Sequence, residues 1–184
     1  MLSLVILATM MLELAIIAAL LLSIVKPAWR VWPPRKPGAA ATAIVWVISV
    51  GVFAGTFAAG LLEWNAWNWP AALRWSLGIP LILVGNLLLW RGVFQLGFST
   101  TSGAKGELNR TGLYRWTRNP QYIGDISMLA GWVFLSASGA ALFLALLAFT
   151  IHLLLPRAEE PWLRARLGRP YEDYLETVPR FIRF

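Results

Sequence analysis

Apolar residues in this chain come in five long runs, residues 2–25, 39–62, 71–98, 120–135 and 139–155, separated by short polar or proline-rich stretches. As a helix the first run reaches roughly 36 Å, enough to cross a ~30 Å hydrocarbon core. It lacks a basic start and a short apolar core followed by a small-residue cleavage site, so it reads as a retained span rather than a removable signal. The second run has the same length and places Gly51, Gly55 and Ala59 at four-residue spacing, which lets helices approach closely, within the bundle or between two copies. The third carries Pro80 and Asn86 inside it and Arg91 near its end, where a long side chain can snorkel to the interface. The last two sit near the lower limit for spanning, which predicts tilted or thinly covered helices. Only Ser136-Ala137-Ser138-Gly139 separates them, the mark of a tight helical hairpin. The pattern predicts an all-α fold, a polytopic membrane bundle of five transmembrane helices forming a single integral membrane domain over residues 1–184.

The breaks between runs carry the polar information. KPAWRVWPPRKPG, residues 26–38, holds four prolines and four basic groups and cannot continue a helix. EWNAWNWP, residues 63–70, gathers three tryptophans, as expected at a membrane–water boundary. Residues 99–118 form a polar, basic loop. The tail, residues 157–184, is too polar for another span. Pro161 and Pro170 suit the first turns of two short amphipathic helices separated by Gly168, with Trp162, Leu163, Leu167, Tyr171, Tyr174 and Val178 on the apolar side. They are expected to lie on the cytoplasmic surface against the basic loop.

Charge then gives the orientation. Lys26, Arg30, Arg35 and Lys36 fall in the first loop, and Arg91, Lys105, Arg110, Arg115 and Arg118 flank or fill the loop after the third run. Arg157, Arg164, Arg166, Arg169, Arg180 and Arg183 follow the fifth, and only Arg74 lies on the other side. The positive-inside rule makes the three groups cytoplasmic and puts the N-terminus outside. The expected location is a bacterial inner (cytoplasmic) membrane.

Composition narrows the chemistry. The chain is 58% hydrophobic and 14% charged, against about a quarter charged in soluble proteins, so it is a membrane protein by composition. It has no cysteine, which removes disulfides, thiolate nucleophiles and thiolate metal sites, and His152 is its only histidine. No metal is expected. The net charge of +7 sits beside apolar spans, where it speaks for membrane lipids as partners rather than nucleic acid.

Any chemistry should gather at the cytoplasmic face, where RTGLYRWTRNPQYIGD, residues 110–125, runs into the fourth apolar segment. Pro120 suits a first helical turn and Asn119 the cap before it, so a positive helix end would point into this cluster. Taken alone, Asn119-Pro120 is a helix start, and Glu159-Glu160 before Pro161 is a first-turn acidic pair favoured by the helix dipole. Glu13 and Asp125 are carboxylates within apolar runs, functional hypotheses by default. Asp125 lies near the proposed site and either faces a substrate or bonds a neighbouring helix; Glu13 is given no role.

GELNRTGLYRWTRNPQYIG, residues 106–124, followed by RAEEPWLRARLGRPYEDYLETVPR, residues 157–180, resembles the isoprenylcysteine carboxyl methyltransferase and phospholipid methyltransferase families. Those families share Gly-x-Tyr, Arg-His/Asn-Pro-x-Tyr-x-Gly, a helical hairpin, Glu-Glu-x-x-Leu, Phe/Leu-Gly-x-x-Tyr-x-x-Tyr and Val-Pro-Arg in that order. The resemblance implies an integral membrane methyltransferase that binds S-adenosylmethionine through residues 106–180 and methylates a lipophilic, membrane-dissolved acceptor. The implied cofactor contacts are Gly106, Glu107, Leu108, Asn109, Tyr114, Asn119, Pro120, Gln121, Tyr122 and Glu159. The cofactor's sulfonium and ammonium favour a carboxylate and aromatic faces, which Glu159, Tyr114 and Tyr122 offer.

Two positions depart from the pattern. Asn119 stands where many relatives have histidine. Leu155 stands where the carboxyl methyltransferases keep an arginine for the substrate carboxylate, and Arg157 lies two residues on. A lipid amine therefore becomes at least as plausible an acceptor as a prenylcysteine carboxylate. His152, Asp125 and Arg157 are the candidates for a catalytic role: His152 to orient the acceptor or take its proton, against the plainer reading of polar glue between helices. Two other functions compete, an NADPH-dependent sterol-type reductase and a non-catalytic NnrU-like membrane protein.

Overall fold

The computed structural model describes residues 1–182; Arg183 and Phe184, the end of the expected tail, lie outside the described residues. Its helices are α1 (Leu2–Val25), α2 (Ala39–Leu62), α3 (Ala71–Leu96), a single turn α4 (Phe98–Thr101), α5 (Pro120–Ser136), α6 (Gly139–Leu167) and α7 (Arg169–Thr177). Among the described residues there is no strand. Four helices, α1, α2, α3 and α6, are long and apolar enough to cross a membrane. At 17 residues α5 is shorter.

What holds α5 in place is a seam of glycines. Gly78, Gly85 and Gly92 recur every seven residues on α3, and Gly124 and Gly131 are seven apart on α5. A Cβ on Gly85 would lie 2.6 Å from the Gly124 carbonyl oxygen, and one on Gly124 would lie 2.6 Å from that of Gly85. One on Gly131 would meet the Gly78 carbonyl at 2.7 Å. The two backbones run antiparallel and touch, so any side chain here would separate them. The small-residue spacing on α2 also acts within the bundle. A Cβ on Gly55 would collide with the Thr9 side chain of α1, and Ala59 is fully buried.

Three expectations are corrected. The third helix stops at Leu96 rather than residue 98, because Gly97 adopts φ +88° and turns the chain into α4. The fifth apolar run does not end its helix at residue 155: α6 continues through Pro156 and Pro161 to Leu167. Proline inside a helix costs about 3 kcal/mol, but Pro156 is fully buried and Ala158 packs with Leu20 and Ile151, so tertiary contacts override the break. Pro161 therefore starts no helix, the Glu159-Glu160 pair is not in a first turn, and the tail holds one short amphipathic helix, α7, instead of two. That helix follows Gly168 (φ +62°) with Pro170 in its first turn, and its Tyr171 and Tyr174, with Val178, pack on Leu108, Leu163 and Leu167.

The tail docks on the loop before α5, as its apolar side suggests. Arg118 N–H donates to the Pro179 carbonyl at 3.0 Å, and the Thr117 hydroxyl and Asn119 side-chain amide both donate to the Arg180 carbonyl, at 3.2 and 2.8 Å. Arg180 in turn makes a two-pronged contact with Glu160 of α6, at 2.9 and 2.7 Å. Asn119 occupies the cap position of α5, yet its side chain is spent on the tail and makes no cap hydrogen bond.

Candidate functional site

Between the loop after α3, the start of α5, the end of α6 and α7 lies a cleft of about 900 Å³, counting its open mouth. Of the ten residues proposed from sequence for a cofactor, Gly106, Glu107, Leu108, Asn109, Tyr114, Asn119, Gln121, Tyr122 and Glu159 line it. Pro120 does not; it is fully buried behind the wall, facing Gly92 of α3.

The loop supplies backbone. From Lys105 to Arg110 no backbone group joins a backbone–backbone hydrogen bond among the described residues, so this wall carries uncommitted N–H and C=O groups. The side chain of Asn109 is not available, since its amide donates to the Gln95 carbonyl at 2.9 Å and its oxygen accepts from Thr111 N–H and hydroxyl. Gly106 is tight against its neighbour: a Cβ there would come within 2.4 Å of the Thr100 methyl. Glu107 is exposed at the mouth.

The aromatic part is rigid. Tyr114 is buried, its hydroxyl donating to the Gly92 carbonyl at 3.3 Å, while the Tyr174 hydroxyl donates to the Tyr114 carbonyl at 2.6 Å. Burial pushes the Tyr114 and Tyr171 phenols above the ordinary tyrosine value and that of Tyr174 up to about 12. All three are neutral hydroxyls at physiological pH.

Glu159 is the polar centre. It stands one turn past Pro156, in the part of α6 that the sequence assigned to a separate tail helix. Its Oε1 accepts from the Tyr122 hydroxyl at 2.5 Å and from the Trp32 indole N–H at 2.6 Å. Among the described residues no hydrogen bond or salt bridge reaches Oε2, and that oxygen is not sealed in the interior. Glu160 beside it is different, since Arg180 and Arg118 occupy both its oxygens. Arg118 also faces the cleft. Its Nη1 lies 3.1 Å from Glu160 but too poorly aligned for a hydrogen bond, and its Nε and Nη1 have no hydrogen-bond partner.

The three catalytic candidates fare differently. Asp125 and His152 pair with each other across α5 and α6, His152 Nε2 to Asp125 Oδ2 at 3.2 Å, with the His152 ring edge-on to Tyr122. The other ring nitrogen lies 2.6 Å from the Ala148 carbonyl. Neither residue lines the cleft. Arg157 is exposed, its guanidinium donating to the Leu153 carbonyl at 2.6 Å, and does not line it either. Glu13 is fully buried with no partner for either oxygen. Among the described residues no group of three histidine or acidic side chains converges as a metal site would require.

Sequence reasoning missed Trp32 and Pro33, both from the first loop. Trp32 lies 127 positions from Glu159, and nothing local in KPAWRVWPPRKPG marks it apart from the interfacial tryptophans elsewhere.

Comparison with known proteins bears on these residues directly. A steroid 5-alpha-reductase, DET2 of Solanum lycopersicum, is 29% identical over 119 residues, which is 63% of this chain and 44% of the reductase. The chain thus spans less than half the length of that relative. No solved structure matches. The family model for phospholipid methyltransferases matches residues 73–169, from early α3 to the start of α7. That match covers more than half of the chain and takes in the loop, Tyr114, Tyr122 and Glu159, and on it the chain belongs to the phospholipid methyltransferase family.

Proposed function

We propose that this protein is an S-adenosylmethionine-dependent methyltransferase whose acceptor is lipophilic and reaches the site from the bilayer. One observation carries the reading: a single carboxylate, Glu159, is held from behind through Oε1 and leaves an unpartnered Oε2 on the wall of the cleft. Burial pushes the Glu159 carboxyl up to about 7, so a cation beside it is what would hold it ionised, and S-adenosylmethionine carries a sulfonium and an ammonium. The uncommitted backbone of Leu108 and Asn109 suits an adenine edge, and the Tyr114 and Tyr122 rings suit a cationic centre. Glu107 at the mouth is placed for contact with the rest of the nucleoside.

When bound, the cofactor supplies an electrophilic methyl group on sulfur. The chain's own work is alignment: Glu159, Tyr122 and the loop backbone fix the donor's orientation, worth up to roughly 7–11 kcal/mol when two reactants are well aligned. The α5–α6 hairpin offers an apolar approach from the membrane while α7 covers the aqueous side and excludes water. Five crossings, α1, α2, α3, α5 and the α6 segment up to residue 155, are the reading of the five apolar runs, and an outside N-terminus and a cytoplasmic cleft that of the distribution of basic residues. In that arrangement membrane lipids are neighbours, and the acceptor is drawn from among lipids such as a phospholipid amine or an isoprenylcysteine-type carboxylate.

A second reading, a reductase using NADPH, has the similarity to the steroid 5-alpha-reductase in its favour. The two separate in one measurement, the thermal shift of detergent-purified protein with S-adenosylmethionine, S-adenosylhomocysteine and NADPH, because a ligand of the native state raises its stability. The methyltransferase reading expects a shift with both adenosyl compounds. A shift with NADPH alone, or with none at millimolar concentration, overturns it.

A further inference from the structure

We propose that Trp32 is a positioning residue of the cofactor site, acting through Glu159, and that the first loop is a wall of that site although it lies outside the family match. The proposal rests on the methyltransferase reading above and names a residue that neither the family match nor the sequence motifs reach.

The loop is anchored to the site at three points. At its entry the Ser23 hydroxyl, buried in the last turns of α1, accepts from Val31 N–H at 2.9 Å and Trp32 N–H at 3.1 Å while donating to the Ala19 carbonyl. At its middle the Trp32 ring packs on the cluster of Leu20, Ile151 and Ala158, and its N–H reaches Glu159 Oε1. At its far side Pro33, fully buried, and Pro34 press on Gly103, where a Cβ would come within 2.6 Å of the Pro34 ring. Gly103 sits at φ +82°, so the same residue that permits the turn permits the contact.

A carboxylate rotates about its terminal bond unless something fixes it. Here two donors from different segments, Tyr122 and Trp32, converge on one oxygen, which sets the plane of the group and turns the other oxygen to the cleft. Both hydrogen bonds are short, 2.6 Å from Trp32 and 2.5 Å from Tyr122, so the constraint on the carboxylate plane is tight. Trp32 therefore decides where the anionic oxygen points, without itself touching the cation.

Trp32→Phe separates this role from packing, because phenylalanine keeps an aromatic ring on Leu20 and Ile151 and loses only the N–H. The binding of S-adenosylmethionine should weaken about tenfold, the scale of one hydrogen bond to a charged group. Binding of 5′-methylthioadenosine, which lacks the sulfonium and the ammonium, should change less than about twofold, and the melting temperature of the ligand-free protein should hold. A collapsed cleft would weaken both ligands alike. Equal losses, or no loss for either, overturn the proposal while leaving the methyltransferase reading intact. A wild-type protein that binds no adenosyl compound overturns that reading, and this inference with it. A ligand-free measurement guards against a poorly folded variant: the indole N–H resonance of Trp32, identified by its absence in Trp32→Phe, should move in Glu159→Ala. A stationary resonance refutes the contact.

Discussion

The α5–α6 hairpin has a carboxylate near each end; each takes two donors on one oxygen, and the two differ in their surroundings. At the turn, Glu63 Oε2 accepts from the Ser138 hydroxyl at 2.5 Å and Ala140 N–H at 2.7 Å, capping the start of α6. Around it the turn is stitched down: Asn65 N–H donates to the Ser136 carbonyl, Trp67 N–H to that of Ala137, and buried Arg74 to that of Leu135 at 2.9 Å while stacking on Trp64. At the other end Glu159 likewise has two donors on one oxygen and none on the second, but it lines an open cleft, which Glu63 does not. At the turn Glu63 works with backbone contacts that hold the chain; at the cleft Glu159 is held so that its second oxygen stays free beside a cavity. A carboxylate fixed by two donors at a packed turn stabilises the chain, whereas one fixed the same way on the wall of a cleft keeps an oxygen for a ligand.

The strongest way to break this contrast is to remove each carboxylate in turn. Glu159→Ala should weaken S-adenosylmethionine binding by about a hundredfold, near 2.7 kcal/mol, with a smaller effect on melting temperature than on binding, because its two donors sit on half-buried side chains beside the cleft. Titration calorimetry and a melt of the ligand-free protein check both halves. Unaltered affinity would put Glu159 on the same footing as Glu63.

Glu63→Ala should do the reverse. It leaves Ser138 and the Ala140 N–H, both buried, without their acceptor, which costs about 1–3 kcal/mol of stability, and binding should change less than about twofold. The pH dependence has a definite sign. Hydrogen bonding from Ala140 N–H, then from Ser138, holds the Glu63 carboxyl below its ordinary value of 4.5. A depressed carboxylate gives stability that is whole above the ordinary value and lost as pH falls through the folded one. Wild type should thus lose an acid-sensitive part of its stability below about pH 4.5 that Glu63→Gln does not have. Superimposable acid melts would show that the cap contributes nothing.

How much of this was legible in the sequence differs between the two ends for a physical reason. The limits of α1 and α2 follow from uninterrupted apolar runs closed by Lys26-Pro27 and Glu63, and both stand where the runs predict. The candidate cofactor residues from 106 to 122 were implied by the family resemblance, whose motif is local in sequence, and all of them except Pro120 line one cleft. The continuation of α6 through Pro156 and Pro161 did not show, because its cause is burial against Leu20 and Ile151 from elsewhere in the chain. Trp32 was invisible for the same reason. The glycine seam is another matter, since Gly78, Gly85 and Gly92 share a seven-residue period with Gly124 and Gly131 that was there to be counted.

Between the two ends lies the Asp125–His152 pair, and it tests whether the contrast extends along the hairpin. The Ala148 carbonyl can only accept, so His152 Nδ1 carries a proton, and Nε2 then faces Asp125 Oδ2 with a second proton on one of the two atoms. Either form, imidazolium with carboxylate or imidazole with carboxylic acid, is neutral and already loaded. A loaded pair is not a vacant base. His152→Gln should therefore cost about 1 kcal/mol of stability and change the cofactor-saturated methylation rate by less than about threefold, where loss of a general base removes about 10²–10⁴. The small effect is informative because it assigns the middle of the hairpin to the stabilising kind, with Glu63. A rate loss of a hundredfold at unchanged cofactor affinity would move the pair to the other side of the comparison, with Glu159, and would place the acceptor's reacting atom one turn deeper than the cleft.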